Sequence, residues 1–280
     1  MKIAVSGASG FIGRHVVTEL LRRQGQVVIA ARDPARVPSA PGLSVIELDL
    51  AAPPAGAFER LGRPDVLMHL AWEGLPNYSA ARHVDVELPR QSAFLRGLIA
   101  DGLPALLVTG TCLEYGLRSG ALGEKLPAMP TINYAIAKDR LRRELEDLRA
   151  VHPYALAWAR LFYMYGPGQG AGSLLPQLAA AVARGDERFN MSGGEQLRDY
   201  LAVEEVARLL VELALRRCDA GVVNVCSGKP VRIIDLVEAW LAEHHWQIAL
   251  NRGHYPYPDY EPMAFWGERA RLDALLGDSA

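Results

Sequence analysis

Cysteine is scarce: the 280 residues include three, Cys112, Cys218 and Cys226. They are too few and too scattered for a disulfide framework, and their spacing suits no metal-ligand set. Such usage predicts a reducing cytoplasm. Net charge is scarce as well, −2 from 30 basic and 32 acidic residues. With no basic stripe interleaved with aromatics, nucleic acid is excluded as the expected partner. No apolar run is long enough to span a bilayer, and the chain enters a fold element at once rather than an apolar leader. Neither a membrane anchor nor a secretion signal is therefore expected. Internal repeats and low-complexity segments are missing too. What remains is half apolar and 22% charged, enough for one large globular domain or two intimately joined ones.

The stretch that organises the rest is MKIAVSGASGFIG at the start. Lys2–Val5 reads as a buried strand, and Arg14–Arg23 as an amphipathic helix. Between them, Gly7 permits a tight turn, Gly10 lets a pyrophosphate approach the backbone, and Gly13 lets the helix pack close to the strand. Strand, glycine turn and helix in that order predict a dinucleotide cradle, with phosphates facing the free N–H groups of the helix start. The alternative is a plain strand–helix turn.

Further strands are expected at Val27–Ala31, Leu43–Leu50, Val66–Ala71, Ala105–Thr109, Ala155–Leu161 and Val222–Val225, with helices at Val84–Ala100, Asp139–Val151, Val203–Arg216 and Ile233–Glu243. This alternation predicts a doubly wound parallel α/β sheet of Rossmann type. Folds of this kind that prefer NAD close the second strand with an acidic residue. Here Ala31 closes it and Arg32 follows. An arginine there can pair with a 2′-phosphate, which favours NADP(H) over NAD(H). Asp33, able to reach the ribose, argues the other way, and a solvated loop arginine is a third reading. Asp49 and Leu50 are placed to hold the adenine, and Leu70, Ala71 and Trp72 to line the crevice. The loop Glu73–Tyr78 faces either substrate and nicotinamide or solvent. His69, inside an apolar strand, is expected to be a satisfied core histidine.

Thr109 and Thr111 lie just past a central strand, where hydroxyls overlie a bound cofactor. Tyr134 and Lys138 are four apart on a helix and so share a face. A neighbouring ammonium favours phenolate and is expected to lower the tyrosine pKa, making Tyr134 a proton donor or acceptor. Beyond Gly166, glycine and proline density rises and the strand–helix alternation becomes irregular. A dinucleotide-binding domain over 1–166 and a smaller substrate-binding portion over 167–280 are expected, with 201–225 packing back on the main sheet. The Pro-, Tyr- and Trp-rich tail, Asn251 to Trp266, shapes a pocket or simply covers the core.

With these residues in hand, the sequence resembles the extended short-chain dehydrogenase/reductase superfamily, in its nucleotide-sugar epimerase/dehydratase/reductase branch. The likeness runs nearly end to end. It is carried by GASGFIG, Thr111 before Tyr115-Gly116, Tyr134-x-x-x-Lys138, Arg160 with Tyr165-Gly166-Pro167-Gly168, Arg198-Asp199-Tyr200 and Asn224-Val225-Cys226-Ser227-Gly228.

The resemblance implies that Gly7, Ser9, Gly10, Phe11, Ile12 and Gly13 surround the dinucleotide. Tyr134 would be the general acid, Lys138 would bind the nicotinamide ribose, and Thr111 would hydrogen-bond the reacting oxygen. Arg198 would hold a diphosphate, with Glu73, Asn77, Tyr78, Glu114 and Tyr163 as further substrate contacts. Tyr163 replaces an asparagine common in relatives, and Ile132 and Asn133 replace serine and proline before the catalytic tyrosine. Dehydratases of the branch carry an Asp-Glu pair where this chain has Cys112 and Leu113. Trp72–Tyr78 and Thr111–Gly116 look like the corresponding segments of deoxysugar 4-ketoreductases. The expected activity is therefore NADPH-dependent reduction of a nucleotide-linked 4-keto-6-deoxyhexose, of the dTDP type that leads to fucose or 6-deoxytalose. The alternatives are a 4-epimerase that retains NAD and a non-catalytic dinucleotide sensor. A homodimer through Val84–Ala100 and Asp139–Val151, and a place in deoxysugar or O-antigen synthesis, are expectations of the branch.

Overall fold

Short β-branched runs alternate with amphipathic helices, and each crossover helix returns the chain to the same edge, so the strands are parallel. The computed structural model describes residues 1–37 and 40–277. Its central sheet has seven strands: β1 (Lys2–Ser6), β2 (Gln26–Ala31), β3 (Leu43–Glu47), β4 (Val66–His69), β5 (Ala105–Thr111), β6 (Ala155–Leu161) and β7 (Gly221–Val225). The order is β7-β6-β5-β4-β1-β2-β3, parallel throughout. The order reverses between β1 and β4, and there a crevice opens at the carboxyl ends.

Among the described residues the helices are α1 (Phe11–Arg22), α2 (Ala57–Arg60), α3 (Leu88–Ala100), α4 (Asn133–Leu148), α5 (Leu174–Arg184), α6 (Val203–Arg216), α7 (Ile233–Glu243) and α8 (Ala270–Leu276). Strand alternation divides the core. Ile3 and Val5 face Val16, Leu20, Val206 and Leu210 of α1 and α6. Ala4 points the other way, toward the layer of Leu95, Leu98, Leu141 and Leu145 on α3 and α4. This is the two-layered cover of a doubly wound sheet.

Beyond the carboxyl ends lies a third apolar cluster, built from Leu178, Phe189, Met191, Ile234, Val237 and Trp240. Three small sheets frame it: Pro230–Arg232 with Leu197–Ala202 and Tyr163–Tyr165, Ala249–Asn251 with Arg188–Asn190, and Phe265–Gly267 with Gly120–Leu122. Asp199 ties this region to β7. Its carboxylate accepts from the backbone N–H groups of Ser227 at 2.7 Å and Gly228 at 2.9 Å.

Several boundaries differ from the sequence reading. Helix α1 starts at Phe11, directly after the glycine turn. The third strand stops at Glu47 and the fourth at His69, so Leu50 and Ala71 lie in loops. Helix α4 begins at Asn133, which puts Tyr134 and Lys138 in its first turns. A π-helical turn, His83–Glu87, precedes α3 in place of a continuous helix from Val84.

Candidate functional site

The crevice at the switch point has a volume of about 400 Å³. It is lined by Gly7, Ser9, Gly10, Arg32, Asp33, Asp49, Leu50, Leu70, Ala71, Trp72 and Glu73, and also by Glu87, Arg90 and Gln91. Gly7 adopts φ +78°, and a Cβ there would lie 2.6 Å from Ala71 N. A Cβ on Gly13 would lie 2.1 Å from Gly7 O, so α1 approaches β1 as closely as only glycine allows. Phe11, Ile12 and Gly13 form the first turn of α1, and its N-cap, Gly10, supplies no side-chain cap. The first N–H groups of the helix are thus left for an anion at the crevice. A dinucleotide fits these residues.

Arg32 is 68% exposed at its side chain, and its Nη1 is 2.6 Å from Glu73 Oε1. The Asp33 carboxylate accepts from Ala35 N, and that of Asp49 from Ala51 N. Glu87 is a buried carboxylate of the crevice wall that the sequence reading missed. It accepts from Arg82 at 3.0 Å and lies 3.7 Å from Arg90 Nη1.

Next to the crevice, Lys138 Nζ donates to Thr109 O at 2.8 Å and lies 4.2 Å from the Trp72 ring centroid. Burial pulls the Lys138 ammonium down to about 7, although Glu114 and Glu87 oppose the fall. Tyr134 is boxed by Trp72, Tyr78 and His83, with ring centroids 5.9, 5.6 and 5.4 Å away. The expected lowering of its phenol is overturned. Burial drives the Tyr134 pKa well up, and Tyr78 and Glu114 add to the rise. The ammonium, 5.9 Å from the ring centroid, does not offset this. Thr111 Oγ1 accepts from Leu113 N at 3.3 Å, which leaves its own proton for an acceptor outside the loop. Asn77 is exposed and contributes its carbonyl to His83 Nε2 at 2.8 Å.

One expected substrate contact is corrected. Glu114 is fully buried. It accepts from Arg160 Nε at 2.7 Å, from Trp158 Nε1 at 3.0 Å and from Thr111 N at 2.9 Å. It closes the capping box of the Thr111 turn and balances Arg160, so its carboxylate faces protein rather than a sugar. Arg198 is 2% exposed, with its donors taken by Glu261 at 3.0 Å and by the carbonyls of Leu197 and Met263. The Tyr163 hydroxyl also donates to Glu261. Glu261 was missed because its partners are 63 and 98 residues away. The signal that could have found it is the aromatic tail in which it sits.

That tail shapes a second cavity of about 540 Å³, lined by Phe189, Asn190, Met191, Tyr255, Tyr257 and Tyr260 among others. His69 is a core residue, but it is only half satisfied, because its buried Nε2 has no hydrogen-bond partner among the described residues. It shares a 2.7 Å hydrogen bond with Ser6 Oγ, and burial, followed by the Lys138 charge, pulls its pKa to about 3. Cys112 and Cys226 are buried thiols and Cys218 is exposed. Among the described residues no cluster of ligating side chains could hold a metal, and no helix is long and apolar enough to cross a membrane.

With this geometry in view, comparison with known proteins is informative. The model of the NAD dependent epimerase/dehydratase family matches residues 3–226. The chain is similar to dTDP-6-deoxy-L-talose 4-dehydrogenase (NAD(+)) of Aggregatibacter actinomycetemcomitans, 30% identical over 96% of this chain and 100% of that protein. It is also similar to dTDP-6-deoxy-L-talose 4-dehydrogenase (NAD(P)(+)) of Kitasatospora kifunensis, 28% identical over 86% of this chain and 79% of that one. Among solved structures, MoeE5 in complex with UDP-glucose and NAD superposes with a TM-score of 0.81 at 26% identity, covering 99% of this chain and 92% of the other. Glycine cradle, Rossmann sheet and these likenesses agree, and the chain belongs to the NAD dependent epimerase/dehydratase family of NAD(P)-dependent nucleotide-sugar enzymes.

Proposed function

We propose that the protein is a 4-ketoreductase, reducing the 4-keto group of a dTDP-linked 6-deoxyhexose with NADPH. The observation that carries this reading is that Tyr134 and Lys138 both pack against Trp72, a residue of the crevice that fits a dinucleotide. The dinucleotide, held by the glycine turn, Asp49, Leu50 and Leu70–Trp72, supplies hydride chemistry when bound. The chain's own contribution is positional and acid–base. Tyr134, kept protonated by burial, gives its proton to the carbonyl oxygen as that oxygen gains negative charge. Thr111 donates a hydrogen bond to the same oxygen, and the Lys138 ammonium holds the nicotinamide ribose.

Dehydration is disfavoured at the positions where it would need acids. Cys112 has its thiol pushed up by burial, with Glu261 adding, and Leu113 carries no titratable group. Arg32 supports NADPH, although its pairing with Glu73 means that a 2′-phosphate must compete for it. The cavity of Phe189, Asn190 and the tail tyrosines suits a nucleoside, and on this reading Arg198 takes the diphosphate in place of its Glu261 partner. On this reading the portion up to 166 holds the cofactor and the later portion the substrate, and a dimer forms through α3 and α4.

The test is nicotinamide absorbance with purified protein, NADPH and dTDP-4-keto-6-deoxyglucose. Stoichiometric loss of NADPH supports the reductase. No net oxidation, with NAD released on denaturation, would replace it with the 4-epimerase.

A further inference from the structure

We propose that Trp72 and His83 form a positioning pair that holds the Lys138 ammonium in place and charged beside Tyr134. This assignment rests on the Tyr134–Lys138 reading above and adds a residue, His83, to it.

The argument begins with the ammonium. Lys138 is 1% exposed, and among the described residues no carboxylate lies within ion-pair distance of its Nζ. Glu114 favours the charge from a distance but is committed to Arg160, and Glu87 is committed to Arg82. His69, which feels the same charge, is itself kept neutral. The direct partners of Nζ are the Thr109 carbonyl at 2.8 Å and the face of Trp72 at 4.2 Å, with the Tyr134 ring farther off at 5.9 Å. An indole face is the strongest of the aromatic partners for a cation, and stronger still away from water. A buried lysine already pulled to about 7 depends on that face for the charged form near neutral pH.

The indole, in turn, is fixed by His83. Trp72 Nε1 donates to His83 Nδ1 at 3.1 Å, and the two ring planes are inclined by 26° with centroids 6.3 Å apart. Because Nδ1 accepts, the proton of the neutral ring is on Nε2, where it donates to the Asn77 carbonyl at 2.8 Å. Both nitrogens are used, and His83 has no exposed surface. One imidazole therefore locks the Trp72 plane and ties the Asn77 turn beneath it. Tyr78, the next residue, accepts the Tyr134 N–H through its carbonyl at 2.9 Å. The titratable groups packed against this assembly are Tyr134, on Trp72 and His83, and Tyr78, on Tyr134. Arg82, adjacent in the chain, is drawn off to Glu73 and Glu87.

The experiment compares Trp72→Leu, which removes the π face, with Trp72→Phe, which keeps a face but loses the N–H, and with His83→Phe, which loses both hydrogen bonds. Two readouts are taken. Long-range ¹H–¹⁵N NMR of the full chain reports the His83 tautomer and needs no turnover. The expected result is a neutral Nε2–H ring whose signals vanish in His83→Phe. The pH profile of turnover, with NADPH and dTDP-4-keto-6-deoxyglucose, reports Lys138. Its alkaline limb is expected to move down by about one pH unit in Trp72→Leu. The limb should move in the same direction in His83→Phe and in Trp72→Phe, which loses the N–H that His83 holds, and by less in both than in Trp72→Leu. An Nδ1–H tautomer at His83 overturns the pairing. A Trp72→Leu limb superimposed on wild type overturns the electrostatic role, and if that variant does not fold, an unmoved limb in His83→Phe does so. Failure of the underlying dyad looks different: Tyr134→Phe would then keep its turnover while the His83 signals remained as described.

Discussion

Arg198 Nη2 donates to Glu261 Oε2 across 3.0 Å, in a pair whose side chains are 2% and 13% exposed. The guanidinium that the resemblance aims at a diphosphate is thus held by a carboxylate from the C-terminal tail. A diphosphate and Glu261 compete for the same donors, because an arginine fork serves either anion. Glu261→Gln is expected to tighten dTDP binding about threefold or more by calorimetry, since a neutral amide competes less well. Arg198→Lys is expected to weaken it. Unchanged affinity in both would remove Arg198 from the account of substrate binding.

Tyr134→Phe removes the hydroxyl and keeps the ring. Turnover should fall by about a hundredfold or more, while dinucleotide affinity, measured by fluorescence titration, stays within about twofold of wild type. Unchanged turnover would sink the acid role.

How far the sequence reached is clearest at this point. Spacing alone put Tyr134 and Lys138 on one helical face, and the glycine turn, the parallel strands and the crevice were legible because each is a local pattern repeated along the chain. Pairings that close over long separations were not. Glu114 looks like a polar residue in a cofactor loop until Arg160 and Trp158 arrive from β6 to enclose it. His83 lies just before the helix expected at Val84–Ala100, and only the fold brings its ring to Trp72 Nε1. The Tyr134 pKa was misjudged for a related reason: the Lys138 charge was weighed and the burial of the phenol was not.

Cofactor preference turns on a second ion pair. Arg32 and Glu73 are both exposed, so their pairing contributes little stability, but it sets what a 2′-phosphate must displace. Glu73→Gln is expected to lower the KM for NADPH and leave that for NADH nearly unchanged, whereas Arg32→Ala should raise the KM for NADPH about tenfold. Parallel changes for both cofactors would refute the assignment of Arg32 to the 2′-phosphate.

His69 makes a prediction about acid. Burial keeps its folded pKa near about 3, against 6.5 for the free group. Between those values the unfolded chain binds a proton that the folded chain does not, so stability is full above pH 6.5 and declines as the pH falls. At pH 5 this one group should have removed about 2 kcal/mol. Urea melts of His69→Gln, which can still pair with Ser6, should show a flatter dependence between pH 7 and 5. An identical slope would mean that His69 is not the group responsible.

The cradle should be intolerant of any side chain. Gly13→Ala drives a Cβ into the Gly7 carbonyl at 2.1 Å, so α1 must move off β1. Dinucleotide affinity and melting temperature should fall together, and a variant that binds normally would contradict the close approach.

The central claim is that hydride from the cofactor ends on C4 of the sugar in a net reduction. It is tested most directly by incubating the purified protein with dTDP-4-keto-6-deoxyglucose and NADPH carrying deuterium at the transferable position, then analysing the product by NMR and mass spectrometry. The account predicts one deuterium per product molecule, at C4, with an equivalent of NADP⁺ formed. A product without deuterium, or a sugar inverted with no cofactor consumed, would contradict it.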